Sequence, residues 1–195
     1  MLKFFLLLVA CGCVPFVTSW RGLILGSGRW LCQNVELCGD PEQYEMKFNV
    51  SRKKINRTHD CFSINGNLHR EVNNSYAVKI DVYQLVDGGF KYFQTLADDC
   101  ACRFLMTHAR DNVRRALALA NIDPPECPLH PGPIHINNFV MDYRQLPKHG
   151  VYGTFLAIVQ FTYDGVIVAC VKCIVNFDEH NDEEEDDGIP GLSLL

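Results

Sequence analysis

Residues 155–177 read FLAIVQFTYDGVIVACVKCIVNF, and this stretch decides the fold class. Phe155, Ala157, Val159, Phe161 and Tyr163 alternate with their neighbours at the period of a strand, and so do Ile167, Ala169, Val171, Cys173, Val175 and Phe177. Asp164-Gly165 stands between the two runs. A type I′ turn needs positive φ at both central residues, which Asp-Gly supplies, so the stretch reads as a β-hairpin. Leu156 and Ile158 make the opposite face apolar as well.

Working backwards, Tyr76, Val78, Ile80 and Val82 alternate with Ala77, Lys79, Asp81 and Tyr83, predicting another half-buried strand. Phe90, Tyr92 and Phe93 follow Asp87-Gly88-Gly89, and Asn65-Gly66 is expected to mark a further hairpin. One helix interrupts the strands. From Arg103 to Ala120, Leu105, Ala109, Val113, Ala116 and Leu117 recur near every 3.6 residues, until Asn121 and Pro124-Pro125 end the pattern. Roughly seven strands with one inserted helix and no βαβ alternation predict an all-β, immunoglobulin-like two-sheet sandwich.

The first residues point to export. Lys3, an apolar run from Phe4 and small residues up to Ser19 describe a secretory signal over residues 1–19, with the mature chain starting near Trp20. No later stretch reaches the ~18 apolar residues of a spanning helix, so no stable membrane insertion is expected. Of 10 cysteines, Cys11 and Cys13 fall in the signal. The even remainder in an exported chain predicts a disulfide framework. Cys32 and Cys38 are expected to close a local loop within an N-terminal extension, residues 20–43. Cys102 near the helix start and Cys127 just past its end would clamp the helix, closing a ~25-residue loop worth roughly 3 kcal/mol in the chain-entropy model. Cys61, Cys100, Cys170 and Cys173 are left without assigned partners. Cys170 and Cys173 lie three apart in a strand and so on opposite faces, which disfavours zinc or thiol exchange between them and predicts separate bridges. Sequons at Asn49, Asn56 and Asn73 fit a secreted, extracellular glycoprotein.

Eight of the acids crowd into residues 178–187, so the net charge of −5 belongs to the tail and the rest of the chain is near neutral. That balance predicts no nucleic-acid partner. The tail, residues 178–195, has the composition of a solvated, disordered end. No Gly-x-Ser-x-Gly elbow, phosphate loop or His-Glu-x-x-His pair is present, so neither an enzyme nor a cofactor nor a metal site is expected.

Cys127-Pro128-Leu129-His130-Pro131-Gly132, then Ile134 and Ile136, Leu146-Pro147, Gly150-Val151-Tyr152, and the Gly165 hairpin into Cys170-Val171-Lys172 resemble the C-terminal half of ML lipid-recognition domains. The order is similar to that of ganglioside-activator-like proteins and arthropod secreted or chemosensory relatives. Val78–Leu85, Gly89-Phe90 and Asp99-Cys100 through Leu105 extend the likeness, which covers roughly Tyr44 to Phe177. The Cys32 and Cys38 segment and the acidic tail depart from the pattern, and either Cys100 or Cys102 matches the family's single cysteine there. The resemblance implies splayed sheets over residues 44–177 with an apolar pocket between them for a lipid or other apolar small molecule. Val78, Ile80, Val82, Phe90, Phe104, Phe139, Phe155, Val159, Phe161, Val171 and Val175 are the candidate lining. The alternative is an extracellular protein-interaction module with a solid core, no ligand and a protein partner.

Overall fold

The computed structural model describes residues 24–56 and 59–179. The signal segment, most of the acidic tail and part of the Asn56 sequon lie outside the described residues. Strands dominate: β1 (Leu25–Leu37), β2 (Lys47–Lys54), β3 (Asp60–Leu68), β4 (Tyr76–Val86), β5 (Gly89–Asp98), β6 (Gly132–Val140), β7 (His149–Val151), β8 (Gly153–Tyr163) and β9 (Val166–Glu179). They form a six-stranded sheet, β5-β4-β8-β9-β1-β7, and a three-stranded sheet, β2-β3-β6, in which every pairing is antiparallel. The chain is an all-β two-sheet sandwich with a small helical insertion.

The hairpin that predicted the class forms as expected. Asp164 and Gly165 have φ of 49° and 76°, and β8 and β9 pair along their whole facing lengths. Asn65-Gly66, by contrast, is no turn. Both residues lie inside β3, between Phe48 and Asn49 on β2 and Ile134 and His135 on β6. Glycine is required there for space, since a Cβ on Gly66 would stand 2.6 Å from the Cβ of Phe48.

The single predicted helix is two: α1 (Ala101–His108) and α2 (Arg110–Leu119), parted where Ala109 adopts φ −150° and ψ 36°. The apolar period runs through the break, which is why it is invisible in the sequence. Its cause is tertiary. Asn112, buried in the first turn of α2, donates from Nδ2 to the Asp142 carbonyl and accepts from the Asp142 amide, both at 2.9 Å. The Asn112 amide, one of the turn's orphan donors, is taken by Gln145 Oε1. The second helix is thus set by the segment after β6.

The expected N-terminal extension is structural. β1 inserts between β9 and β7, with Trp30 opposite Phe177 and Cys32 opposite Val175. An extended strand rises about 3.3 Å per residue, so Cys32 and Cys38 cannot approach within the ~7 Å Cα limit of a disulfide. Cys38 instead bonds Cys170 on β9, with Cα atoms 5.4 Å apart and a sequence separation of 132. Closing so long a loop is worth about 5 kcal/mol in the chain-entropy model. Cys102 and Cys127 are bonded, tying α1 to the chain beyond α2. Cys32, Cys61, Cys100 and Cys173 carry free thiols, so Cys173 does not enter the separate bridge expected of it.

Across the flank where β1 meets the small sheet, the sheets are tied by charge. Asp60 is buried and holds Arg52 Nη2 at 2.6 Å, while the Tyr143 hydroxyl donates to it at 2.8 Å. Arg52 Nη1 donates to the Gln33 carbonyl at 3.0 Å, where a bulge interrupts the β1–β9 register. Removing one member of a buried ion pair strands the other charge. Asp60→Ala is therefore expected to lower unfolding free energy by about 3–5 kcal/mol, and Lys53→Ala, on the outward face of the same hairpin, by less than about 0.5 kcal/mol. Urea melts of the three proteins check this.

Candidate functional site

Register places eight of the eleven predicted lining residues on one face of the large sheet. Val78 stands opposite Phe161 and Ile80 opposite Val159 on the β4–β8 ladder, and Val159 faces Val171 and Phe155 faces Val175 on the β8–β9 ladder. Two aromatic groups close the ends of this face. At one end Tyr76 and Tyr163 are 4.9 Å apart and join Val78, Ala101 and Val168 in the buried core, against which Phe104 of α1 packs. At the other, Phe155 and Phe177 are buried under Trp30, with Phe93 5.5 Å from Phe155 and Tyr152 stacked on Phe177.

Between the ends lies a belt that the small sheet does not seal. Ile80, Val82, Val159, Val171 and Val175 are only half-buried, as are Leu156, Ile158 and Ile174 on the opposite face of the same strands. A central strand packed against a full second sheet would bury its inner face far more than its outer one. The reason is width: the six-stranded sheet is wider than its three-stranded cover by three strand spacings, about 14 Å.

Not every expected residue lies on this face. Phe90 pairs with Leu85 near the tip of the β4–β5 hairpin and is exposed, beside Tyr92, which packs on Tyr83 and bonds Thr95 on the outward side. A bulge between Val82 and Tyr83 shifts the register, and it is Phe93 that turns inward to Phe155. Phe139, buried on β6 of the small sheet, lies under the Arg115 guanidinium, 5.5 Å from the ring centroid. Trp30, Tyr152 and Phe177 were absent from the expected set. For Trp30 the only signal was its alternation with Cys32 in a segment read as an extension.

Polar groups reach the belt from the flank. Cys32 and Cys173 share the inner face and interact. Burial pushes the Cys32 thiol up to about 12, with Arg52 opposing and Cys173 and Asp60 adding, and burial alone pushes Cys173 to about 11. Burial and the Asp60 hydrogen bond raise the Tyr143 hydroxyl as well. A separate, polar cavity of about 400 Å³ lies outside this face, lined by Glu71, Asn73, Asn74, Ser75, Cys127 and Pro128, and includes none of the predicted lining. Of the sequon residues, Asn49 is exposed on the edge strand β2, and Asn73 is half-buried, donating to Glu71 and accepting from the Ser75 amide. Among the described residues no helix is long and apolar enough to cross a membrane. No family model matches the chain, and none of the curated proteins matches it.

The raised thiols give a pH signature. Their folded pKa values exceed the unfolded value of 9.0, so above that pH the unfolded chain loses protons that the folded chain keeps. Stability is then complete below about pH 8 and falls as pH rises toward about 11–12, with Tyr143 adding to the loss above pH 10. Urea melts between about pH 7 and 11 should show this decline, and Cys32→Ser with Cys173→Val should flatten its first part.

Proposed function

We propose that the chain is an exported, non-enzymatic carrier of the ML lipid-recognition type, holding a lipid or other apolar small molecule between its sheets. The observation that carries this reading is the belt of Ile80, Val82, Val159, Val171 and Val175, half-buried on the inner face between two buried aromatic ends. The belt is aliphatic with aromatic ends, the residue types that line apolar ligand sites. Each 100 Å² of apolar ligand surface removed from water there contributes about 2.5 kcal/mol before the costs of ordering. Mechanism here means extraction and shielding, with no bond made or broken. Export is supported by the signal composition of residues 1–19 and by two long-range disulfides.

The competing reading, a solid-cored interaction module, draws on a different observation. Leu85, Phe90 and Tyr92 are exposed on the outward face of the edge hairpin β4–β5 and form an apolar surface a protein partner would cover.

Val159→Trp separates the two. If the belt surrounds a fillable space, the indole occupies it, stability changes by less than about 1 kcal/mol, and uptake of a fluorescent fatty acid or sterol falls at least tenfold. If the sheets interlock, overpacking lowers stability by about 1–3 kcal/mol and the unmutated protein takes up neither probe. Native mass spectrometry of protein made in a secretory host should also show an apolar ligand, and repeated recovery of ligand-free chain with no probe uptake sinks the carrier reading.

A further inference from the structure

Three cysteines meet at the start of α1, of which only two are bonded. Cys102, in the first turn, is bridged to Cys127 with Cα atoms 6.1 Å apart. Cys100, two residues earlier, is the N-cap of the same helix and keeps its thiol. Its Sγ accepts the Arg103 amide at 3.4 Å, and its S–H donates to Asn74 Oδ1 at 3.3 Å. Asn74 also lines the 400 Å³ cavity that Cys127 borders. The two segments are fixed against each other, because Val72 and Leu129 exchange both backbone hydrogen bonds at 2.9 Å. A free thiol, the first turn of α1 and a disulfide are therefore gathered at one end of the helix, with Asn74 linking Cys100 to the cavity that Cys127 borders.

We propose that Cys100 is a built-in nucleophile for the Cys102–Cys127 bridge, so that the bridge exists in two exchangeable forms. The Cys100 thiolate attacks Cys127 Sγ. A bond forms between Cys100 and Cys127, the Cys102–Cys127 bond breaks, and its electron pair leaves on Cys102 Sγ, which takes up the proton that Cys100 released to water. One disulfide and one thiol stand on each side, so neither oxidant nor reductant is needed. The Arg103 N–H favours the attacking anion, as helix N-termini do for thiolates. The carboxylates of Asp98 and Asp99 beside it are held by the Arg103 side chain, and Asp98 also accepts the Cys100 amide, so the donor on the sulfur is the Arg103 amide. The loops closed by the two forms differ by only two residues, so chain entropy barely separates them. Exchange moves the clamp from the first turn of α1 to its cap and frees the buried Cys102. The inference stands independently of any ligand between the sheets.

The test is bridge mapping on the full chain by acid quench, alkylation and unreduced peptide mass spectrometry. In Cys102→Ser, Cys127 should be bridged to Cys100 in most molecules. In the unmutated chain held overnight at about pH 8.5, alkylated Cys102 should appear together with a Cys100–Cys127 peptide. In Cys100→Ser that labelling should vanish. The proposal is overturned if Cys127 in Cys102→Ser is free or bonded elsewhere. It is equally overturned if Cys100→Ser still exposes Cys102. Should Cys102→Ser not fold, the unmutated chain decides alone, and a map without the Cys100–Cys127 peptide ends the idea.

Discussion

The carboxylate of Asp60 sits where three parts of the chain have to agree. It takes Arg52 from the neighbouring strand and the hydroxyl of Tyr143 from the connection that leads into β7, while Arg52 itself reaches across to the bulge carbonyl at Gln33 in the large sheet. A bulge leaves one residue out of the ladder, and its carbonyl needs a partner elsewhere. By giving that partner a charge and burying the counter-charge behind it, the fold fixes the distance and angle at which the small sheet stands off the large one. Apolar contacts between sheets are non-directional and would by themselves permit many angles. The half-open belt depends on this one flank being pinned.

Charge at the flank and thiols beside it also set the chemistry of the interior. Cys32 and Cys173 behave as small apolar residues at neutral pH, because burial holds both thiols protonated. The reactive thiol of the molecule is elsewhere, at the cap of α1. Here the same residue type, two positions from a bonded cysteine, meets the Arg103 amide and the Asn74 side chain instead of hydrocarbon.

The sandwich was legible wherever the pattern was local. Alternation around Asp164-Gly165 and from Tyr76 to Val82 places strands where they lie, because side chains on a half-buried strand must alternate. What stayed hidden depended on contacts far along the chain. The break at Ala109 answers to Asp142 and Gln145, Gly66 answers to Phe48 on the adjacent strand, and the inward turn of Phe93 in place of Phe90 answers to a bulge. The segment up to Asp40 reads as an extension because its Cys32 and Cys38 suggest a local loop and stand outside the family pattern. Yet its partner strand β9 begins over a hundred residues later, beyond the reach of any local signal. The Cys32–Cys38 expectation failed with it. Of the candidate lining, the residues on β4, β8 and β9 share a face, and those given by analogy of sequence order alone, Phe90 above all, do not.

That distant pairing has a consequence for how the chain is made. The strand next to the amino terminus has both its neighbours, β7 and β9, near the far end of the described residues, so its hydrogen-bonding edges stay empty while some 130 residues are synthesised. At about 5–20 residues per second that is an interval of roughly 6–26 seconds. During it a segment carrying Trp30 and a thiol destined for Cys170 waits without its partner. Birth of the large sheet is therefore post-translational in its final step, and the order in which thiols find one another during that wait decides which chains reach the native pairing.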